Sequence, residues 1–246
     1  MVQAEPLFGD EFLLPGPPAW CRTLGVFDLE TTGVDVEVDR IVSAHVGVVG
    51  PGGAVIEHAS WLADPGIEIP EGATAVHGIT TAHARKHGRP AREVVGEIVN
   101  RLRDLFTAGI PVVAYNAPFD FSMLKYEAQR LGIAPILSPA PVIDPLVVDK
   151  TFDRYRRGKR TLDAVAAHYE VLLEAAHDAS ADAIAAGRVA QAIAARFADR
   201  LPATGAELHT RQIAWARAQA ESLSEYFIRI GRLDPAESLD GSWPIR

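Results

Sequence analysis

The sequence predicts an α/β domain with a mixed central sheet flanked by helices. Two observations carry this prediction. Three strand-like runs come first, at residues 23–30, 40–49 and 54–62. Apolar segments with helical and strand-like character then alternate to about residue 198. Strands followed by an alternation of helix and strand are typical of a sheet that contains both antiparallel and parallel pairs.

The first half of the domain is punctuated by turn residues. Pro51, Gly52 and Gly53 separate the second and third runs, which is the composition of a hairpin connection. Residues 63–79 contain further Pro and Gly and are interpreted as a loop. A helix is predicted from about Ala91 to Phe106, because apolar residues recur there at helical spacing: Val94, Val95, Ile98, Leu102 and Leu105.

In the second half, short strands are predicted at Ile110–Tyr115 and Pro141–Asp144. The intervening helix starts after Asn116 and reaches Leu131, where Gly132 supplies a stop signal. Further helices are expected near 162–169, 180–197 and 207–230. We divide the chain into a loose Pro-rich leader (1–19), the main domain (20–200) and a mostly helical C-terminal extension (201–246).

Composition indicates an ordinary globular protein. Hydrophobic residues make up 48% and charged residues 23% of the 246 residues, and the single cysteine, Cys21, excludes an internal disulfide or a cysteine-rich zinc site. The first residues do not have the pattern of a secretory or mitochondrial leader, and no run approaches the ~18 apolar residues of a membrane span. We therefore expect a cytoplasmic protein without a membrane partner. The net charge of −8 gives no general attraction to nucleic acid, so a nucleic-acid partner would have to be held locally.

The first run ends in two acids at Asp28 and Glu30. Because alternate residues of a strand share a face, the two carboxylates project side by side while Phe27 and Leu29 point into a core. Two solvated acids at a strand end are the simpler interpretation. Acids held this close repel each other, however, and a divalent cation is the usual compensation.

Two more acids lie in the first turns of predicted helices. Asp120 shares the side of its helix with Leu124 and Leu131, and Asp182 continues the apolar stripe that contains Val189 and Ile193. An acid at a helix N-terminus commonly does no more than stabilise the helix dipole. Asp178 or Ser180 can serve as an N-cap, but a cap does not explain an inward-facing Asp182. His177 precedes that acid by five positions.

In combination these segments resemble the DEDD superfamily of 3′–5′ exonucleases, in the histidine-bearing branch that includes proofreading subunits of bacterial replicative polymerases. The similarity lies in three segments, which are Phe27–Gly33, Asn116–Asp120 and His177 with Asp182, and in the intermediate Val76–Thr80. It covers about residues 22–198. The tyrosine-bearing branch is excluded, because position 178 is an aspartate.

The resemblance implies an RNase H-like exonuclease fold and hydrolysis of phosphodiesters with two Mg²⁺ or Mn²⁺ ions. Asp28, Glu30, Asp120 and Asp182 would be the metal ligands, and His177 the general base that takes a proton from the attacking water. The terminal nucleotide would be contacted by Leu29, Thr31, Thr32, Gly33, His77, Asn116 and Phe119. There are simpler alternatives for two of these residues: Gly33 only makes a turn, and His77 only caps a loop.

Three functions stay open at the level of sequence. The first is a 3′–5′ exonuclease acting on single-stranded DNA 3′ ends, either free-standing or with a DNA polymerase as partner. The second is an exoribonuclease of the same fold, and the third a non-catalytic nucleic-acid or partner-binding module. The basic run 154–160, which also contains Tyr155, is expected to contact phosphates near the site, although such runs are usually solvated faces.

Overall fold

The computed structural model describes residues 16–173 and 178–246. Most of the predicted leader, residues 1–15, and the predicted general base His177 lie outside the described residues. The described part opens with a 3-10 turn at Ala19–Arg22. Trp20 in this turn is buried, and its Nε1 donates to the carbonyl oxygen of Pro202 at 3.0 Å. The start of the described chain is thus attached to the segment that precedes the last helix.

The core of the fold is a six-stranded mixed sheet with the order β4-β3-β2-β1-β5-β6. Its strands are β1 (Leu24–Thr31), β2 (Ile41–Val49), β3 (Val55–Asp64), β4 (Arg89–Pro90), β5 (Val112–Val113) and β6 (Val142–Ile143). The central strand β1 pairs antiparallel with β2 and parallel with β5. The predicted fold class, a mixed sheet flanked by helices, is therefore confirmed.

Helices cover both faces of the sheet. They are α1 (Glu71–His77), α2 (Thr81–His87), α3 (Ala91–Thr107), α4 (Ala117–Arg130), α5 (Pro145–Phe152), α6 (Leu162–His168), α7 (Ala179–Arg196) and α8 (Gly205–Arg229). Phe27 and Leu29 of β1 pack into the cluster with α3 and α4, whereas Leu24 and Val26 pack into the cluster with α6 and α7. The alternation along β1 thus assigns its two acids to the face covered by α7.

Three short helices differ from the sequence prediction. The loop predicted over residues 63–79 contains α1, and α2 follows it with Thr80 as its N-cap, whose hydroxyl accepts from the backbone N of His83 at 3.1 Å. The third, α5, begins at an Asp144 cap with Pro145 in its first turn. Helices of seven or eight residues are too short to show a helical period in the sequence, so only their capping residues could have indicated them.

The last helix and the residues after it pack back onto the domain. The Gln212 side chain of α8 is buried, accepts from the backbone N of Asp144 at 2.7 Å and donates to the carbonyl oxygen of Val142 at 3.0 Å. Trp243 is buried in the same core cluster as α4. The backbone N of Arg246 donates to the hydroxyl of Ser122 on α4 at 2.8 Å. The domain boundary at residue 200 stays a prediction, but each of the two core clusters contains residues from both sides of it.

Candidate active site

The candidate site is built at the end of β1. Asp28 and Glu30 lie opposite His45 and Ser43 of β2, and the register between the two strands shifts directly after Glu30. Both acids are partly buried, whereas the side chain of Leu29 between them is only 5% exposed. The two carboxylates therefore project from one face of the sheet, as the alternation of the strand predicts.

The third acid is supplied by α7. The Asp178 side chain caps this helix by accepting from the backbone N of Ser180 at 3.0 Å and of Ala181 at 3.1 Å. Asp182 follows in the first helical turn. Each of Asp28, Glu30 and Asp182 can offer one carboxylate oxygen such that the three oxygens lie within 4.8 Å of one another. The structure thus brings together three of the four predicted metal ligands.

A glycine allows α7 to lie this close to the sheet. A Cβ on Gly187 would lie 2.5 Å from Cγ1 of Val26 and 2.9 Å from Cγ2 of Val49. Any larger residue would push the helix away from β1 and β2. Because Asp182 is five residues earlier on the same helix, its approach to Asp28 and Glu30 depends on this contact.

Asp120 contacts the backbone of β1 next to Asp28. Its side chain is 2% exposed in the first turn of α4, and its Oδ1 accepts from the backbone N of Leu29 at 3.1 Å. This hydrogen bond joins α4 to the segment of β1 between the other two acids. Asp120 is close enough to raise the pKa of the Asp28 carboxyl. The fourth predicted ligand is thus adjacent to the cluster of three.

The acids strongly perturb one another. Burial, followed by the charges of Asp120, Glu30 and Asp182, raises the pKa of Asp28 well above its ordinary value. Burial and the charges of Asp182 and Asp178 raise the pKa of Glu30 to about 7. Burial also raises the pKa of Asp120, although its backbone hydrogen bonds oppose the shift. Carboxylates that repel one another in this way are hard oxygen donors, and such donors fit divalent ions such as Mg²⁺ or Mn²⁺.

The residues after β1 form a compact loop. The Thr32 hydroxyl donates to Oδ1 of Asp39 at 2.8 Å and accepts from the backbone N of Arg40 at 3.0 Å. The Thr31 hydroxyl donates to the carbonyl oxygen of Gly33 at 2.6 Å. A Cβ on Gly33 would lie 2.4 Å from Oδ2 of Asp39. Both hydroxyls and the glycine thus have structural partners, and their predicted contacts with substrate stay predictions.

His77 ends α1 beside this loop. Its Nδ1 accepts from the backbone N of Ile79 at 3.1 Å. Burial lowers the pKa of His77, and the neighbouring backbone of Thr31 opposes the shift. The imidazole therefore lies next to the end of β1, where the sequence prediction needs it, and the Nδ1 contact also agrees with the loop-capping alternative.

The remaining predicted substrate contacts surround the start of α4. Asn116 has a left-handed backbone (φ 64°), and its side chain is exposed. Phe119 is partly buried against the core. The side chain of Leu29 is buried in that core, so Leu29 could meet a ligand only through its backbone.

Asp144 is a functional neighbour that the sequence reasoning missed. It is 1% exposed, and its carboxylate accepts from the backbone N of Asn116 and of Ala117, each at 3.0 Å. It also caps α5 by accepting from Leu146 N at 3.0 Å. Asp144 therefore fixes the turn from which Asp120 projects. Asp144 directly before Pro145 could have indicated the helix cap from the sequence, but it does not indicate the contact with α4.

His45 was also missed. It is fully buried, it lies opposite Asp28, and its Nδ1 is 2.8 Å from the hydroxyl of Ser60. Burial, with the nearby His58, lowers the pKa of His45 to about 4, so the ring is neutral beside the acids at neutral pH. Only the strand register reveals this proximity, and the register is not readable from the β2 sequence alone.

The predicted phosphate-contacting run is only partly available to solvent. Asp149 on α5 is fully buried, and its Oδ2 pairs with Arg156 at 2.7 Å and with Arg160. Its Oδ1 accepts from the Tyr169 hydroxyl at 2.9 Å. Arg156 and Arg160 therefore neutralise a buried carboxylate. The sequence predicts phosphate contacts for the whole run and does not indicate this structural role. The other members of the run are exposed: Arg154, Tyr155, Arg157 and Lys159.

Comparison with known proteins identifies a family for this chain. Residues 26–190 match the RNase_T family model, which is described as an exonuclease. Over 168 residues the chain is 32% identical to a PolC-type DNA polymerase III of Lacticaseibacillus paracasei, covering 68% of this chain and 11% of that protein. Over 181 residues it is 33% identical to a DNA polymerase III subunit epsilon-like protein of Rhodobacter capsulatus, covering 72% of this chain and 24% of that protein. The chain thus spans only about a tenth to a quarter of the length of these relatives.

The fold has matching solved structures. E. coli exonuclease I in complex with a dT13 oligonucleotide superimposes with a TM-score of 0.59 at 21% identity, covering 72% of this chain and 42% of that one. This likeness supports the RNase H-like architecture inferred from the sequence. Among the described residues, no helix is long and apolar enough to cross a membrane. From the match over residues 26–190, the chain belongs to the RNase_T exonuclease family.

Proposed function

We propose that this chain is a metal-dependent 3′–5′ exonuclease that removes nucleotides from the 3′ ends of single-stranded DNA. The observation that carries the proposal is the acidic cluster. Oxygens of Asp28, Glu30 and Asp182 lie within 4.8 Å of one another, and Asp120 adjoins them. A chain that only bound nucleic acid would gain nothing from a buried concentration of negative charge, which repels phosphate and costs folding free energy.

The four acids would hold two Mg²⁺ or Mn²⁺ ions. Bound there, such a pair supplies stabilisation of both the attacking and the leaving oxygen of the phosphodiester. Three separate elements carry the acids, namely β1, α4 and α7. The hydrogen bond from Leu29 N to Asp120 and the Asp178 cap of α7 restrict where these elements can move. The chain thus orients the carboxylates before any ligand arrives.

The proton transfer is assigned to His177. The assignment rests on the sequence, in which His177 precedes the N-cap Asp178 and lies five residues before Asp182. A neutral imidazole at this position would accept a proton from the attacking water. His45 is not assigned this step, because it is fully buried beneath the site.

We assign DNA rather than RNA as the substrate because of the proteins that this chain resembles. The similar proteins are named as DNA polymerase III forms, and the superimposed exonuclease I structure holds a dT13 oligonucleotide. An exoribonuclease stays the second candidate, since discrimination between DNA and RNA depends on how the protein contacts the 2′-hydroxyl. A DNA polymerase is the candidate protein partner, for the same reason as DNA is the candidate substrate.

The test uses the full chain with 5′-labelled single-stranded DNA and RNA of one sequence, with Mn²⁺ or with EDTA. We expect a ladder that shortens from the 3′ end, and faster cleavage of DNA. EDTA or Asp182→Asn should lower the rate at least about 10³-fold, since several kcal/mol of transition-state stabilisation are removed. Asp104→Asn, an exposed acid on α3, is the matched control. Undiminished cleavage in EDTA would refute the metal mechanism, and binding without cleavage would favour the non-catalytic module.

A further inference from the structure

A groove lies between α5, the basic run and α8. Its volume is about 690 Å³. The family match ends at residue 190, so one wall, α8, comes from outside the matched region. We call this feature the basic groove, and the residues that matter for its chemistry are Lys150, Arg154, Arg156, Arg160, Tyr226 and Arg229.

The basic groove concentrates positive charge on an acidic protein. Five cationic side chains line it, against one carboxylate, Glu225, while the whole chain carries −8. The charges of Arg156 and Arg160 are partly compensated by the buried Asp149. Arg154 and Arg229 are exposed, and in the described part of the chain no carboxylate lies within ion-pair distance of either. These two charges are therefore available to an anionic ligand.

The basic groove is connected by hydrogen bonds to the turn that precedes α4, the helix that carries Asp120. The Tyr115 hydroxyl donates to the carbonyl oxygen of Arg160 at 2.6 Å, and Tyr115 directly precedes the turn that Asp144 holds. Lys150 follows Asp144 by six residues, about 9 Å along the helix axis. These contacts connect one wall of the basic groove to the turn that precedes Asp120.

Aromatic rings accompany the cations. Tyr226 is 45% exposed, and the Arg229 guanidinium lies 5.4 Å from its ring centroid. Trp215 also lines the basic groove and is held by an edge-on contact with Phe152 at 5.5 Å. Proteins that hold single strands without sequence preference combine such rings, on which bases stack, with cations that follow the backbone. An acidic polypeptide would use the cations but gain little from exposed rings.

We propose that the basic groove binds the single-stranded nucleic acid upstream of the 3′ end whose terminus occupies the acidic cluster. The proposal rests on the proposed function for the direction in which the strand runs. It assigns to the C-terminal extension a role in holding substrate. The strand would meet Arg154 and Arg229 through its phosphates and Tyr226 through a base.

Binding of a fluorescent oligothymidylate to the full chain, measured in EDTA across a salt titration, tests this proposal. The double variant Arg154→Ala/Arg229→Ala should lower the magnitude of the salt slope by about 1.4, since each phosphate contact on a single strand contributes about 0.7. The control Arg85→Ala/Lys86→Ala removes the same charge from the exposed side of α2 and should leave the slope unchanged. Tyr226→Ala should weaken binding at least about fivefold, whereas Tyr226→Phe keeps the stacking ring and should not.

The outcomes separate this proposal from the proposed function. An unaltered slope in the Arg154/Arg229 variant, or an equal fall in the control, overturns the basic groove as the strand-binding site. Poly-glutamate is titrated in the same way as a second probe. If the Arg154/Arg229 variant loses binding to poly-glutamate but keeps binding to oligothymidylate, the basic groove is a site for an acidic protein partner and the proposal is overturned. If the wild-type chain binds DNA through these residues but cleaves nothing, the basic groove stands and the exonuclease proposal fails.

Discussion

Replacing Glu30 by Gln should stabilise the metal-free protein, by an amount that grows as the pH rises from about 4.5 to about 7. The pKa of Glu30 is raised from an ordinary 4.5 to about 7. Below about pH 4.5 the residue is protonated in both the folded and the unfolded chain, so it has no effect on stability. As the pH rises to 7, the unfolded chain loses the proton while the folded chain keeps it, so folding becomes less favourable. The penalty is complete above about pH 7.

The size of this penalty follows from the pKa difference. At 1.36 kcal/mol for each pH unit, the shift corresponds to about 3 kcal/mol. Because Glu30 is only partly buried, solvent screening reduces this to about 1–2 kcal/mol. In a domain of this size that gain raises Tm by roughly 2–8 °C. Thermal unfolding in EDTA at several pH values, followed by circular dichroism, measures it.

A matched control and a metal titration sharpen the test. Glu68→Gln removes an exposed acid from the loop before α1 and should leave Tm unchanged at every pH. Mn²⁺ should reverse the order of the two proteins, because a ligand at 100 times its Kd stabilises the wild type by about 2.7 kcal/mol. A Glu30→Gln gain that is the same at every pH would refute the argument from repulsion. So would a variant that is less stable than wild type in EDTA at about pH 8.

Two further predictions concern residues around the site. Asp149→Ala should lower the free energy of unfolding by about 3–5 kcal/mol, because it leaves Arg156 and Arg160 without their buried partner. Urea titration measures this change. A decrease below about 1 kcal/mol would show that the two ion pairs contribute little to stability. His177→Ala should lower the cleavage rate about 10²–10⁴-fold and flatten the rise of the rate with pH. Metal affinity, measured by calorimetry, should be unchanged. A loss of metal affinity would instead show that His177 is a metal ligand.

Local patterns predicted those parts of the site that depend on a single element. The alternation in β1 was enough to put Asp28 and Glu30 on one face, and the period of α3 was enough to identify its buried residues. The phase of α7 indicated that Asp182 faces inward, and the structure places it in the cluster. In each case the signal lies within one strand or one helix, where the periodicity of the backbone is fixed.

The parts that depend on distant segments could not be predicted. Asp144 holds the α4 turn across 28 residues, and Gln212 supports Asp144 from 68 residues away. The basic run was expected to contact phosphates near the site, because a charge pattern does not show which carboxylate it encloses. Asp149 is such a carboxylate, and it becomes visible only when α5 and the run are folded together. Packing between elements, rather than propensity within them, decided these features.

The return of the last residues to α4 has a consequence for synthesis. The hydrogen bond from Arg246 to Ser122 joins residues 124 positions apart, and the buried Trp243 packs in the same cluster as α4. At about 5–20 residues per second, a ribosome needs roughly 6–25 s to add the residues between these two partners. Throughout that interval the helix carrying Asp120 is made but lacks part of its covering. The nascent chain therefore exposes apolar surface of α4 until residues 243–246 have been added, and this surface is where we expect a chaperone to bind it.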